Sequence, residues 1–445
     1  MSVKVIHEAP RDVPCIAEPD VLVVGGGAAG IAAACAAARG GAKTLLIERY
    51  GFLGGTFTAV TLGGICGTHM IVDDQHLERV VGGLYLELEA RLIKRDGFLQ
   101  PLRHGKIVGS PYDSESFKMV ADDMMAAYGV TVLHHTYAVA VQAENGRVQA
   151  VIVESKGGRG AIVPRVVIDT TGDGDIAARA GAGYDAIEGG ERQFGSTMFR
   201  FTNVDVARAK ALSRPQMREI LEGAVNDGYS LPRTTIGVHI NPVDNITHVN
   251  VTKLGDSEGR PFNLMDPEQL SEAERTGRRQ VALYEEVFRK YMPGYEKARV
   301  VDIGAVVGIR EGRRVHGDQT LQESDVRNCV KPADRIAVTS WALEKHGAGR
   351  DTIWDFLPDG EWYGIPYGCL LVKGFDNLVV AGRNLSASHM AQASARIGGA
   401  CLAMGEAIGT AAAMSLSLDA TPRALAVPTL QARLEREGAI LTPGA

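Results

Sequence analysis

Cysteine is scarce and scattered in this sequence of 445 residues. The six cysteines include no C-x-x-C pair and show no regular spacing. Structural zinc sites, iron–sulfur clusters and disulfide frameworks all need patterned cysteines, so the sequence argues against each of them. We therefore predict no metal site, and we expect most of the cysteines to be small buried side chains.

An excess of positive charge is also lacking, and so is a long apolar run. The formal net charge of -6 argues against nucleic acid or an anionic membrane surface as the main partner. No apolar run approaches the roughly 18 residues that a membrane-spanning helix needs. The segment MSVKVIHEAPRDVPC lacks the basic-then-apolar order of a signal peptide. We expect a cytoplasmic protein with no nucleic-acid partner and no membrane partner.

Glycine, in contrast, is abundant at 53 residues and is concentrated in clusters. The first cluster, with the pattern G-x-G-x-x-G, follows an apolar run at Val21–Val24 that predicts a buried strand. An Ala-rich helix to about Arg39 and a second strand at Thr44–Ile47 come next, and the acidic Glu48 follows. This order predicts a dinucleotide site, with the pyrophosphate at the helix N-terminus and the carboxylate on the ribose hydroxyls. The assigned residues are Gly25, Gly27, Ala28, Ala29, Gly30 and Glu48.

Two later glycine clusters favour FAD over NAD as the cofactor. A second glycine-rich turn follows Glu48 directly, and the strand Val166–Asp169 leads into a T-G-D-G turn. Between them, residues 130–155 alternate apolar and polar side chains around an Asn145-Gly146 turn, which predicts a β-meander. Together these features suggest a glutathione-reductase-like FAD fold. The further cofactor-binding residues predicted here are Arg49, Gly54, Gly55, Thr56, Thr171, Gly172 and Asp173.

A C-terminal strand and small-residue helix complete the predicted cofactor site. Gly382 and Arg383 end the strand, and Gly398 and Gly399 begin the helix, whose N-terminus would support the pyrimidine end of the flavin. Arg396 would add a positive charge there, unless it belongs to a structural ion pair.

His389 is the candidate general acid or base of this C-terminal segment. The pKa of an imidazole can lie near neutrality, and a substrate that gives a hydride to flavin usually also loses a proton. A packing role for His389 is left open. Ser386 is expected only to shape the turn.

The region between the two FAD-binding parts predicts strands and amphipathic helices. An apolar strand over residues 298–310 runs into GIREGRR, residues 308–314. Alternation along it would send Arg310 to one side and Glu311 with Arg313 to the other. Two of its arginines could bind an anionic group of a substrate or form a salt-bridge network around Glu311. His316 is a candidate base or a structural histidine. Residues 340–368 hold all three tryptophans and predict an aromatic lid, a dimer contact or an exposed hairpin.

The sequence resembles the family of FAD-dependent oxidoreductases that carry the motifs ERYGFLGGT, TGDGD, GIRETRR, IPY.CL and AGRN.SASH. Here these motifs lie at residues 48–56, 171–175, 308–314, 365–370 and 381–389, with Gly312 in place of the usual Thr. The resemblance covers residues 20–415. It implies an α/β chain with an FAD-binding domain built from residues 1–185 and 366–445. A sheet-plus-helices substrate or cap domain, residues 186–365, would be inserted between them.

We predict hydride transfer between a small organic substrate and flavin N5, of the dehydrogenase or oxidase type. Three alternatives remain: reduction of an activated C=C bond, a single-component monooxygenase that uses NAD(P)H, and a non-catalytic FAD-containing scaffold.

A second G-x-G-x-x-G unit and a redox cysteine pair are both missing, which argues against a pyridine-nucleotide–disulfide reductase. Cys66 and His69 are candidates for covalent flavin attachment, although loop or core roles are favoured. A homo-oligomer and an anionic substrate are both left open.

Overall fold

The computed structural model describes residues 5–187, 191–347 and 352–444. Its α-helices, numbered in chain order, are α1 (Ala28–Arg39), α2 (Leu84–Lys94), α3 (Ser114–Tyr128), α4 (Asp175–Arg179), α5 (Val206–Lys210), α6 (Arg214–Asn226), α7 (Pro267–Tyr291), α8 (Glu323–Arg327), α9 (His389–Ala395), α10 (Gly398–Ser417) and α11 (Val427–Arg436).

The strands run from β1 near the N-terminus to β24 before the C-terminal helices. They are β1 (Cys15–Ala17), β2 (Val21–Val24), β3 (Thr44–Ile47), β4 (Gly64–Cys66), β5 (His69–Ile71), β6 (Leu77–Arg79), β7 (Leu102–His104), β8 (Ile107–Pro111), β9 (Thr131–Leu133), β10 (Tyr137–Glu144), β11 (Arg147–Ser155), β12 (Gly158–Ile162), β13 (Val166–Asp169), β14 (Tyr184–Asp185), β15 (Phe199–Thr202), β16 (Gly237–Ile240), β17 (Thr247–Asn250), β18 (Arg299–Ile303), β19 (Arg314–Val315), β20 (Arg335–Thr339), β21 (Leu343–Lys345), β22 (Ile353–Asp355), β23 (Tyr363–Pro366) and β24 (Leu378–Val380).

A five-stranded parallel sheet in the order β24-β13-β2-β3-β9 forms the centre of the molecule. Every residue of β2, β3 and β13 is buried, as expected for strands that are covered on both faces. Helix α1 follows β2 directly, so the strand–helix–strand unit predicted from the first glycine cluster is present. The chain is therefore a mixed α/β protein.

The meander predicted after β9 is also present. Strands β10, β11 and β12 pair antiparallel, and β1 adds to β12 in parallel. Asn145 and Gly146 join β10 to β11 with φ angles of 50° and 72°. Two successive positive φ angles are typical of a type I′ hairpin turn, for which Asn-Gly is the favoured sequence.

A second, antiparallel sheet in the order β16-β17-β15-β18 has its own hydrophobic core. Helix α7 covers it with buried aromatic side chains, and Phe201 of β15 packs against Phe288 with ring centroids 5.2 Å apart. Asp266 caps the start of α7 by accepting from Gln269 N–H at 2.9 Å. The strand and amphipathic helices predicted for this part of the sequence are thus largely present.

The strand predicted over residues 298–310 is wrong in its second half, because β18 ends at Ile303. The chain then leaves the sheet and runs against residues 59–60. A Cβ added at Gly304 would lie 2.8 Å from Val60 O, so the absence of a side chain allows this close approach. Glu311 consequently faces Arg314 at 2.7 Å and not Arg313, which contacts Asp175.

Helix α10 contradicts the expectation that no segment is long and apolar enough to cross a membrane. By length and composition it passes that test, with a mean hydropathy of 1.3, but 83% of its most apolar window is buried. It packs closely on α1: a Cβ at Gly405 would lie 2.1 Å from Ala29 O, and one at Gly409 2.2 Å from Ala33 O. These contacts explain the small residues of α10 as the packing surface of a core helix.

Candidate active site

A cavity of about 340 Å³ lies at the carboxyl ends of the central parallel strands. Its lining includes Val24 at the end of β2, Glu48 after β3, Thr170 after β13 and Ala381 after β24. Ligands of open parallel sheets bind at this edge, where loops diverge and helix N-termini point inward. The cavity is therefore the candidate active site.

The G-x-G-x-x-G turn forms one wall of the cavity. Gly25 has a φ of 102°, a conformation that glycine adopts without strain. A Cβ at Gly30 would lie 1.9 Å from Gly25 O, so this glycine serves tight packing and does not line the cavity. Gly27 is the N-cap of α1 and makes no side-chain cap, and Ala28 and Ala29 line the cavity beside it. The positive end of α1 is thus open to a ligand.

Glu48 is held firmly at the edge of the same cavity. Its carboxylate accepts from Gly26 N–H at 2.7 Å and from Tyr50 N–H at 2.9 Å. The neighbouring Arg49 also lines the cavity and lies over the Tyr50 ring. The acidic residue predicted from its spacing therefore reaches the cavity with a fixed orientation.

The second glycine turn packs directly on the first. Gly54 N–H donates to Gly26 O at 2.7 Å, and a Cβ at Gly55 would lie 2.8 Å from Gly27 Cα. Gly55 and Thr56 line the cavity, whereas Gly54 does not.

Only some of the residues of the T-G-D-G turn that were predicted to bind the cofactor lie at the cavity. Thr171 and Gly172 line it, but Asp173 does not. The Asp173 carboxylate instead accepts from Arg383 at 2.5 Å, and Asp175 is the carboxylate of this turn that lines the cavity. Buried Asp169 anchors the turn by accepting from Thr171 Oγ1 at 2.7 Å.

The C-terminal part supplies the wall opposite the glycine turns. Gly382 and Arg383 line the cavity, and Arg383 also donates to Gly172 O at 3.0 Å. Helix α10 begins at Gly398 after the N-cap Ile397, with no side-chain cap, and both residues line the cavity. Gly399 faces away from it, because a Cβ there would lie 2.3 Å from Gly67 O.

The model of the FAD dependent oxidoreductase family matches residues 20–434 of the sequence. This chain belongs to that family. The described residues fit FAD: two helix N-termini without side-chain caps open into one cavity, and glycines border the cavity at both of these helix starts. The cofactor of the protein is FAD.

Solved structures similar to the chain are distant ones. A geranylgeranyl bacteriochlorophyll reductase-like protein from Thermoplasma acidophilum is 16% identical, with a TM-score of 0.45 over 94% of this chain and 83% of that one. A p-nitrophenol 4-monooxygenase from Pseudomonas putida is 12% identical, with a TM-score of 0.45 over 92% and 83%. The anhydrotetracycline hydroxylase from Streptomyces rimosus is 10% identical, with a TM-score of 0.48 over 93% and 65%. No curated protein is significantly similar in sequence.

Of the four predicted catalytic residues, the structure brings Arg310 and Arg396 to the FAD cavity and not His316 or His389. His316 is half-exposed, with Nε2 3.0 Å from Asp185. His389 Nε2 lies 3.1 Å from Glu311, which also accepts from Arg314. The salt-bridge network around Glu311, one of the two alternatives for GIREGRR, is therefore present.

Several cavity residues were not found from the sequence. The start of α6 contributes Arg214, and the second sheet with its flanking loops contributes Arg233, His239 and Asn250. The β21–β22 hairpin and the residues just before it contribute Trp341, Glu344, His346 and Trp354. Burial and neighbouring histidine and arginine side chains lower the pKa of His239 to about 3.

The three tryptophans of the sequence indicated only part of this wall. Trp341 and Trp354 line the cavity, whereas Trp362 packs in the core under Lys331. Part of the stretch, residues 348–351, lies outside the described residues.

The two candidates for covalent flavin attachment differ in position. Cys66 lines the cavity, and burial raises the pKa of its thiol to about 12. His69 does not line it, and its Nδ1 lies 3.0 Å from Thr68 Oγ1. Among the described residues, no cluster of metal-ligating side chains is present.

Proposed function

We propose that the protein transfers a hydride between a small organic substrate and flavin N5, as a dehydrogenase or oxidase. The observation that carries the proposal is the extent of the cavity: it runs from the N-termini of α1 and α10 to His239 and Asn250 on the second sheet. A site that joins cofactor loops to a separately packed sheet suits a substrate held between two structural regions.

The domain arrangement belongs to the same proposal. Residues 1–185 and 366–445 would form a glutathione-reductase-like FAD domain, and residues 186–365 a substrate or cap domain between them. Three features support this division. The central sheet takes β24 from the C-terminal part, the second sheet has its own core, and Arg233 and His239 reach the cavity from that second region.

The residues around the cofactor have separable roles in this proposal. The open N-terminus of α1 would bind the pyrophosphate, and Glu48 the ribose hydroxyls. When bound, FAD supplies an N5 atom that accepts hydride and a pyrimidine edge that becomes negative on reduction. The N-terminus of α10 and Arg396 lie together on the cavity wall and would stabilise that charge.

The proton that accompanies the hydride requires a group inside the cavity. His239 lines it, and imidazole is the side chain that most often serves as a general acid or base. Because His389 is directed at Glu311, we propose His239 for this role in its place. Asn250 lies opposite Gly237, two residues before His239, and lines the same wall.

Anaerobic mixing of the FAD-loaded protein with alcohols, amines and hydroxy acids tests the proposal. At least one organic donor should bleach the visible absorbance of the oxidised flavin. Rapid bleaching by NADH or NADPH alone would overturn the dehydrogenase assignment and support the monooxygenase alternative. A protein that retains FAD while no donor of either kind reduces it would point to the scaffold alternative.

A further inference from the structure

A second recess, of about 40 Å³, lies beside the FAD cavity. Its walls come from β5, the β7–β8 hairpin and residues 340–342 and 354–361. Among the described residues, those of the glycine turns that would hold FAD do not border it. Lys106 and Asp359 on its rim keep 45% and 35% of their side chains exposed. The recess therefore reaches the protein surface without passing the cofactor loops.

The wall between the recess and the FAD cavity is a single layer of side chains. Ile107, Trp341 and Trp354 line both spaces. Because a residue that borders two spaces has only its own atoms between them, movement of one of these side chains would join the recess to the cavity. FAD would fill the glycine-turn end of the cavity, so a substrate needs another entrance. The recess offers one that avoids the glycine turns.

The two tryptophans of this wall are held differently. Trp341 Nε1 donates to Glu344 at 3.1 Å, and its carbonyl oxygen accepts from Ser394 Oγ at 2.6 Å. Trp354 lies on β22, in a two-stranded sheet, and its ring stacks on Phe356 and meets Trp341 edge to face, with centroids 5.4 and 5.9 Å apart. Phe356 is itself 38% exposed, and aromatic contacts of this kind are modest. Rotation about its side-chain torsions can therefore move the Trp354 ring.

The backbone around the recess is tied down at three points. Lys106 Nζ bonds Asp359 at 2.6 Å, and Gly360 N–H donates to Ile71 O at 2.7 Å. Asp355, next to Trp354, forms an ion pair with Arg327. The recess thus keeps its shape, and the ring of Trp354 is the part of the wall that can move.

We propose that the substrate enters the FAD cavity through this recess and that Trp354 is a specificity-determining residue, whose ring sets the width of the molecules admitted. Return of the ring behind the substrate would also keep bulk water from the reacting atoms. The inference rests on the proposed function, because it concerns the substrate of that reaction, but passage through the recess requires no electron transfer.

Cys66 provides a probe of entry, since it lines the FAD cavity. Methyl methanethiosulfonate and the wider benzyl methanethiosulfonate convert a thiolate to a mixed disulfide and release methanesulfinate. Mass spectrometry of the Cys66 peptide measures the labelling rate in the FAD-loaded protein. All variants are compared at one alkaline pH, because burial raises the pKa of this thiol to about 12. The exposed Cys15 serves as the internal standard.

Two substitutions should change the labelling rate of Cys66 in opposite directions. Trp354→Ala should increase it by up to about tenfold, the effect of losing one aromatic contact, and more for the benzyl than for the methyl reagent. Ser340→Phe, whose ring would fill the recess that Ser340 borders, should slow labelling severalfold. Ile353→Ala is the matched control and should label like the parent, because Ile353 precedes Trp354 on β22, is 59% exposed and lines neither space.

Each result decides one part of the proposal. Unchanged labelling in Trp354→Ala, or equal acceleration for both reagents, would refute the role of Trp354. Unchanged labelling in Ser340→Phe would refute the recess as the entrance. An Ile353→Ala protein that labels as fast as Trp354→Ala would indicate general loosening of the hairpin and would also refute the role of Trp354.

The proposed function and this inference can fail separately. Labelling that changes as expected, with no flavin bleaching by any organic donor, would refute the proposed function alone. Flavin bleaching by a donor, with labelling unchanged in both variants, would refute this inference alone.

Discussion

The carboxylate of Asp173 occupies the space that a side chain at position 312 would need. A Cβ added to Gly312 would lie 2.0 Å from Asp173 Oδ1, and that carboxylate also bonds Arg383, which in turn donates to Ile309 O at 2.6 Å. The departure from the family motif at Gly312 is therefore part of a packed junction between the T-G-D-G turn, the GIREGRR segment and the strand end at Arg383.

Gly312→Thr, which restores the residue usual in the motif, should lower the free energy of unfolding by about 2 kcal/mol, because overpacking displaces Asp173 from Arg383. Denaturant unfolding measures the change. Gly223→Ala in α6 is the control: a Cβ there meets nothing within 4 Å, so we expect equal or higher stability. A Gly312→Thr protein as stable as the parent would show that the junction accommodates the side chain.

The two candidate proton acceptors can be separated by substitution. With an organic donor that bleaches the flavin, His239→Gln should slow bleaching about a hundredfold, the usual contribution of a general base. His389→Ala should stay close to the parent rate, because its imidazole is directed at Glu311.

His316→Gln serves as the surface control for this pair, and flavin absorbance confirms that each variant retains FAD. If His389→Ala rather than His239→Gln strongly slows bleaching, the base predicted from the sequence is correct and His239 has no part in the mechanism.

Arg396 should set the reduction potential of the bound flavin. Removing its charge in Arg396→Gln should make the two-electron potential more negative by about 30 mV, equivalent to about 1.4 kcal/mol less stabilisation of the reduced form. A spectroscopic redox titration measures this shift, with Arg278→Gln as the control. An unchanged potential would assign Arg396 to packing or to substrate binding only.

Buried His248 should make stability depend on pH. Burial lowers its pKa from 6.5 to about 4; Asn241 Nδ2 donates to its Nε2 at 2.7 Å, and its Nδ1 lies 3.2 Å from Thr61 O. The pKa of His248 is lower in the folded protein than in the unfolded chain. Its contribution to the free energy of unfolding is therefore complete above pH 6.5 and is lost as the pH falls towards 4.

Between pH 6.5 and pH 4, His248 should lower the free energy of unfolding by about 1.4 kcal/mol for each pH unit. Denaturant unfolding of the parent and of His248→Gln between pH 7 and pH 4 measures it, and the variant should show the smaller slope. Parallel pH profiles for the two proteins would mean that His248 is not the group that titrates.

Local sequence predicted the cofactor half of the site well, because its elements are consecutive along the chain. A strand, a glycine turn and a helix determine their own geometry, so the positions of Gly25, Gly27 and Glu48 follow from spacing. The meander turn at Asn145-Gly146 follows from turn chemistry for the same reason. Whether a glycine borders the cavity or packs against backbone, as Gly30 and Gly399 do, depends on a neighbouring segment and could not be predicted.

The substrate half shows where sequence reasoning fails. His389 and His316 were the candidate bases in the sequence, yet Glu311 and Asp185 face them from distant parts of the chain. His239, Arg233 and Glu344 carried no motif, and only the packing of the second sheet and the β21–β22 hairpin brings them into one cavity. The sequence by itself determined the family, the cofactor and the parallel sheet, since these depend on local patterns and short-range backbone geometry. Only the tertiary structure decided which charged side chains line the cavity and which neutralise one another, because burial and charge pairing depend on residues far apart in sequence.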